Sequence, residues 1–155
     1  MGFGKWTVPL LVLTCAIASP AATQERRLKR ADLPAAVERT VDQESRGATV
    51  RGYSSEKNGA LLEYEVAMTL HGHNRDVTIA ADGSVLEIEE EVALDSLPEP
   101  VRTGLRQLAG SGKITKVESL TKRGAIVAFE AQVRTGTKRS EIQVGPDGKP
   151  LTHRE

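Results

Sequence analysis

One stretch of this 155-residue chain can be laid over another without a gap, and that internal likeness constrains the fold more than any single motif does. Gly59 to Leu86 matches Gly124 to Leu151 at a constant offset of 65. Each copy has a leading glycine, an aromatic followed by glutamate (Tyr64-Glu65, then Phe129-Glu130), an Asp-Gly pair (Asp82-Gly83, then Asp147-Gly148) and a closing leucine. Upstream, Asp32-Leu33-Pro34 matches Ser96-Leu97-Pro98 at an offset of 64, so one residue was gained or lost between a helix signal and the first strand. A residue kept in both copies serves the shared fold, and one confined to a single copy needs another reason.

Each copy reads as a helix followed by strands. Asp32 and Ser96 are N-cap residue types, because their side-chain oxygens accept free amides of a first helical turn, and a proline follows two positions later. Val37 and Val41 share one helix face, as do Val101, Leu105 and Leu108, and Arg46-Gly47 and Gly110 mark the stops. Alternation then signals strands. Leu62, Tyr64, Val66, Met68 and Leu70 oppose Glu63, Glu65 and Thr69, while Val127, Phe129, Ala131 and Val133 oppose Glu130, Gln132 and Arg134. A further strand precedes each of these, from Thr49 to Ser54 and from Ile114 to Leu120, and Leu86 and Leu151 open closing strands. The Asp-Gly pairs predict tight type I′ turns. The expected fold class is α+β: two tandem repeats, at 32–91 and 96–155, each with an N-terminal helix packed on an antiparallel sheet of about four strands. Units this small bury too little surface to stand alone, so the two should pack together or pair strand to strand.

The first residues belong to something else. Lys5 precedes an apolar run from Trp6 to Ala18, and small residues follow in Ala18-Ser19-Pro20-Ala21-Ala22, the layout of a secretory signal peptide over 1–21. The run is too short to span a bilayer, where about 20 residues are needed. Cys15 lies inside the run with Thr14 before it, a poor context for lipid attachment, so the exported chain is expected to carry no cysteine. That excludes a disulfide framework, a thiol nucleophile and a cysteine metal site. Residues 22–31 read as a basic flexible arm with Arg26, Arg27, Lys29 and Arg30, and Glu87, Glu89, Glu90 and Glu91 read as a solvated, acidic strand edge. Formal net charge is 0, which gives no bulk electrostatic reason to expect nucleic acid or a membrane surface as partner.

Chemistry-bearing patterns are sparse. His71 and His73 are alternate residues that could approach one metal ion, with Glu63, Glu65 or Asp76 as further ligands, yet Gly72 and Asn74 mark a hairpin turn where polar residues are expected. The other copy has Gly136 and Lys138 at those positions, so the fold does not need the pair. Glu65 and Glu130 recur beside an aromatic on the outward face; a cross-strand ion pair explains them more simply than an acid/base site. The sequence has no Gly-x-Ser-x-Gly, His-Glu-x-x-His or phosphate-binding glycine loop, so no enzyme and no cofactor are expected.

The Leu-Pro helix start, the Tyr64-Glu65-Val66 strand, Asp76-Val77-Thr78-Ile79 and the closing Asp82-Gly83-Ser84-Val85-Leu86 together resemble the PepSY and PepSY-like secreted domains, a group similar in architecture to the tandem β-lactamase inhibitor proteins. The second copy shares Leu97, Pro98, Phe129, Glu130, Glu141, Ile142, Val144, Asp147, Gly148 and Leu151, and departs at Ala131 and Pro150. The resemblance implies an exported, non-catalytic module that binds or restrains a secreted peptidase or related protein. The expected binding surface is the polar face carrying Glu63, Glu65, Thr69, Glu130, Gln132 and Arg134. A small-ligand or metal carrier using His71 and His73 is the alternative.

Overall fold

The computed structural model describes residues 25–155. The signal peptide expected at 1–21, with Cys15, lies outside the described residues. Eight strands and two α-helices follow in the order β1 (Arg26–Leu28), α1 (Ala35–Glu44), β2 (Ala48–Asn58), β3 (Leu61–Leu70), β4 (His73–Ala80), β5 (Val85–Glu91), α2 (Glu99–Ala109), β6 (Lys113–Lys122), β7 (Ala125–Thr135) and β8 (Lys138–Val144). Short 3-10 turns at Arg30–Asp32 and Leu94–Ser96 lead into the helices.

All eight strands belong to one antiparallel sheet in the order β1 to β8, which overturns the expectation of two tandem repeats each with its own sheet of about four strands. The two matching segments are joined by direct pairing of β5 with β6, from Glu87 opposite Lys122 to Glu91 opposite Glu118. Two separate sheets would each leave an unpaired backbone edge at this point, and continuing the ladder removes both. Strand numbers differ as well. The first segment supplies β2 to β5, whereas the second supplies β6 to β8 and then makes a single bridge between Val144 and Pro150 instead of a closing strand. The basic arm is corrected too: Arg26–Leu28 pairs with Ser55 to Tyr53 and forms the first strand of the sheet.

Directly opposed residues share a face of a sheet, so the pairing register places both helices. Tyr64, Val66 and Met68 on β3 lie opposite Ile79, Val77 and Arg75 on β4, and Val77 lies opposite Ile88 on β5. Ile88 faces Thr121 and Glu90 faces Ser119 on β6; Ser119 faces Phe129, which faces Val144. This one face carries both apolar clusters. In the first, Val37 and Val41 of α1 join Leu33, Tyr64, Val66, Met68, Val77 and Ile79. In the second, Val101 and Leu105 of α2 join Leu97, Val117, Phe129, Ala131 and Val144. Short helices gain their stability from such packing on a sheet, and both lie on the same side of it.

The helix entries and turns depart from expectation. Asp32 and Ser96 end the 3-10 turns, and each α-helix begins after the proline two positions on. The Asp32 carboxylate accepts the Lys29 amide at 2.9 Å, and the Ser96 hydroxyl donates to the Ala93 carbonyl at 2.7 Å. At the Asp-Gly turns only the glycine has positive φ (Gly83, +90°; Gly148, +78°), so these are not type I′. Asp82 instead accepts the Ser84 amide and Asp147 the Lys149 amide, an Asx arrangement that holds the turn with a side chain. Turns with two left-handed residues occur at His71-Gly72 and Arg123-Gly124.

Each Asp-Gly turn sits under a helix, at different distances. In the first half a Cβ on Gly83 would stand 2.8 Å from the Ala36 carbonyl oxygen, and the Thr40 hydroxyl donates to the Gly83 carbonyl at 2.6 Å. The residue matching Thr40 at the offset of 64 is Gly104, and there a Cβ would stand 2.0 Å from the Gly148 carbonyl oxygen. The second helix therefore lies directly against its turn, backbone to backbone.

Candidate protein-binding face

The face opposite the helices is polar and open, and the register shows what lies on it. Glu63 and Glu65 on β3 are opposite Glu56 and Ser54 on β2, and Thr69 is opposite Thr49. On β7, Glu130 is opposite Glu118 and Gln143, Gln132 opposite Lys116 and Glu141, and Arg134 opposite Lys113 and Arg139. All six residues expected on an exposed polar face do share this one. They form two groups, on β3 and β7, with three strands between them, a separation of about 19 Å at ordinary strand spacing.

The intervening strands hold the dominant feature, which sequence reasoning misplaced. β5 is an internal strand of the sheet, not a solvated edge. Its Glu87 and Glu89 face the open side, opposite Thr78 and Asp76, while Glu90 points to the helix side beside Arg75 (Nε to Oε1, 3.3 Å). Asp76, Glu89 and Glu118 come together so that donor atoms of the three lie within 4.8 Å of one another. The alternation of Glu87, Glu89 and Glu91 was visible in the sequence, but the strand's neighbours were not.

Acids in a row repel, and the surrounding residues respond in two ways. Most gain a cation. Arg51, displaced by a bulge in β2, reaches Asp76 at 3.0 Å; Lys116 meets the buried Glu118 at 2.5 Å; Lys122 meets Glu87 at 3.1 Å. Glu130 accepts from Gln143 at 2.8 Å and from Arg154 of the C-terminal tail at 2.7 Å, and Arg154 also reaches Glu141 at 2.9 Å. Glu89 has no such cation among the described residues, and its pKa is pushed up to about 8. Loss of hydration is the largest cause, followed by a hydrogen bond shared with Glu87 and repulsion from Glu118, Glu87 and Glu130. The Glu87–Glu89 pair therefore holds on to a proton well above the usual carboxylate range. Glu65 is also raised, first because the protein atoms around its carboxyl strip hydration although part of the residue remains exposed, and then by Asp76.

The remaining expected residues are placed as follows. Glu63 accepts from Asn58 at 3.2 Å, the Gln132 carbonyl accepts from Thr115 at 3.2 Å, and Arg134 donates Nε to the Gly136 carbonyl at 3.0 Å. His71 occupies the left-handed turn at φ +52° and His73 opens β4, so the two are not alternate residues of one extended strand. Both are exposed, and neither belongs to the carboxylate group.

The sheet and helix arrangement has solved counterparts. The fold is shared with a protein of Bacteroides eggerthii assigned to the periplasm (17% identity, 77% of this chain and 86% of that one, TM-score 0.64). It is also shared with a BLIP-like protein of Bacteroides fragilis (20% identity, 77% and 83%, TM-score 0.57). A DUF2874 family protein of Bacteroides ovatus has it too (14% identity, 77% and 85%, TM-score 0.61). No family model matches the chain, and no curated protein does. Likeness at these identities shows the fold alone: a helix-backed antiparallel sheet of the kind these proteins share. Among the described residues no helix is long and apolar enough to cross a membrane.

Proposed function

We propose that this chain is an exported, non-catalytic binding protein of PepSY-like type, which engages another exported protein, such as a peptidase, through the open side of its sheet and restrains it. The observation that carries this reading is the one-sided sheet. Both helices cover one face, and among the described residues only the C-terminal tail, through Arg154 and Glu155, reaches over the other. A broad surface with fixed, alternating charges suits recognition of a protein better than catalysis, which needs groups converging on a pocket. The signal-peptide pattern supports export, as does the periplasmic assignment of the structural counterpart from Bacteroides eggerthii.

The test is affinity capture from the exported protein fraction, comparing the wild type with a Glu65→Lys, Glu130→Lys variant of verified fold. Capture of a discrete protein by the wild type, lost in the variant, supports the reading. Capture of nothing, or equal capture by both, contradicts it.

A further inference from the structure

Among the described residues β8 is an edge strand whose inner neighbour is β7 and whose outer side, from Lys138 to Gln143, carries no strand. The first half of the molecule shows what occupies the corresponding place there. Its β4 has β3 on one side and β5 on the other, and β5 is the acidic strand Val-Leu-Glu-Ile-Glu-Glu-Glu. Glu91 of that strand accepts the backbone amide of Asn74 at 3.2 Å, and Glu90 pairs with Arg75. At the offset of 65 the chain after β8 has no counterpart of β5, because it makes only the Val144–Pro150 bridge.

The side chains beside this open edge differ in the same direction. In the first half the cross-strand pair at this level is Thr69 with Asn74, both neutral. The positions 65 residues on are Arg134 and Arg139, also directly opposed, with both residues exposed. Like charges placed opposite each other destabilise a sheet, and the neutral pair shows that the fold does not require them. Neither guanidinium lies within 4.0 Å of a carboxylate among the described residues. They line a groove of about 620 Å³ with Lys116, Gln132, Glu91 and Glu141. Both acids of that groove already have partners, Glu91 at the Asn74 amide and Glu141 at Arg154. Two guanidiniums without a carboxylate partner, Arg134 giving only its Nε to the Gly136 carbonyl, next to free backbone edge groups match an extended polypeptide bearing carboxylates, since strand pairing would satisfy the backbone and forked N–H donors the side chains.

We propose that the outer edge of β8 receives an acidic, extended segment of the partner protein as a ninth strand, with Arg134 and Arg139 binding its carboxylates. This rests on the reading of the chain as a binding protein and adds the chemistry of what it binds. The backbone edge favours a polypeptide over a nucleic acid or an anionic lipid, neither of which can extend the ladder.

The probe is the seven-residue sequence of β5 as a free, end-capped peptide, alongside a copy with every glutamate replaced by glutamine and a copy N-methylated at alternate amides. Wild-type protein is expected to bind the acidic peptide. Binding should weaken about tenfold or more with the glutamine copy, with the N-methylated copy, and in the Arg134→Gln, Arg139→Gln variant, the loss expected for a charge-assisted hydrogen bond. No binding by wild type, equal binding of all three peptides, or equal binding by the variant overturns the proposal. Polyphosphate or anionic vesicles bound as tightly as the peptide also overturn it, by showing an anion patch independent of strand pairing. If the variant still captures the exported partner, the edge assignment fails while the function stands; if wild type captures no partner, the function itself fails.

Discussion

The two halves of the molecule use matching sequences to different ends. In the first half a threonine hydroxyl ties the helix to its Asp-Gly turn, whose Gly83 also approaches the Ala36 carbonyl, and the strand after that turn, β5, runs through the middle of the sheet. In the second half the helix lies closer still, with Gly104 directly against the Gly148 carbonyl, and the described chain beyond it leaves β8 as an open edge. The first half is completed by the second through β5 and β6, whereas among the described residues the second is completed by one bridge alone. The shared residues thus build the sheet, and the unshared ones decide which edge is left open.

The sharpest way to break the comparison is Gly104→Ala. An alanine in an exposed helix gains about 1 kcal/mol over glycine, but here the new Cβ would overlap the Gly148 carbonyl, so urea denaturation should show a loss of about 3 kcal/mol or more. A neutral result would mean that helix and turn are not in contact. Glu89→Gln comes next. Between the unfolded value and about 8 the folded protein keeps a proton that the unfolded chain releases, so wild-type stability should fall as pH rises through that window and level off above it. The variant should lose most of that slope and be more stable by about 1–2 kcal/mol in alkaline buffer, a figure reduced for solvent screening. Parallel pH profiles for the two proteins would show that Glu89 is an ordinary surface acid.

Thr40→Ala should cost about 1 kcal/mol, the loss of one hydrogen bond to the turn, and much less than the single methyl added at Gly104. Equal effects at the two sites would erase the difference between the halves. Arg154→Ala is the mildest. Its guanidinium is exposed although it touches both Glu130 and Glu141, so thermal unfolding should change by a few tenths of a kcal/mol, while the open face gains negative charge.

Much of this was legible in the sequence. Alternation placed Tyr64, Val66 and Met68 on one face of β3 and Glu63, Glu65 and Thr69 on the other, because side-chain direction along a strand is a local property. The helix faces of Val37, Val41, Val101 and Leu105 were readable for the same reason. What could not be read was pairing between strands far apart in sequence. Glu87 and Glu89 look like an exposed edge until β6 is known to lie beside them, and only then do Glu118 and Asp76 become their neighbours. The turn geometry was missed because Asp82 and Asp147 serve as side-chain acceptors, a role that an Asp-Gly pair does not distinguish from a type I′ turn. Arg139 was overlooked because its significance lies in facing Arg134 across the last pair of strands, beside an edge that the sequence pattern filled with a closing strand at Leu151.

The central claim, that this sheet works through its open side and its β8 edge, is tested most directly by amide hydrogen exchange on the protein alone and with its captured partner. Slowed exchange at the amides of Lys138 to Gln143, with α1 and α2 unchanged, is the predicted result. Slowing confined to the helices, with β8 exchanging as in the free protein, would contradict it.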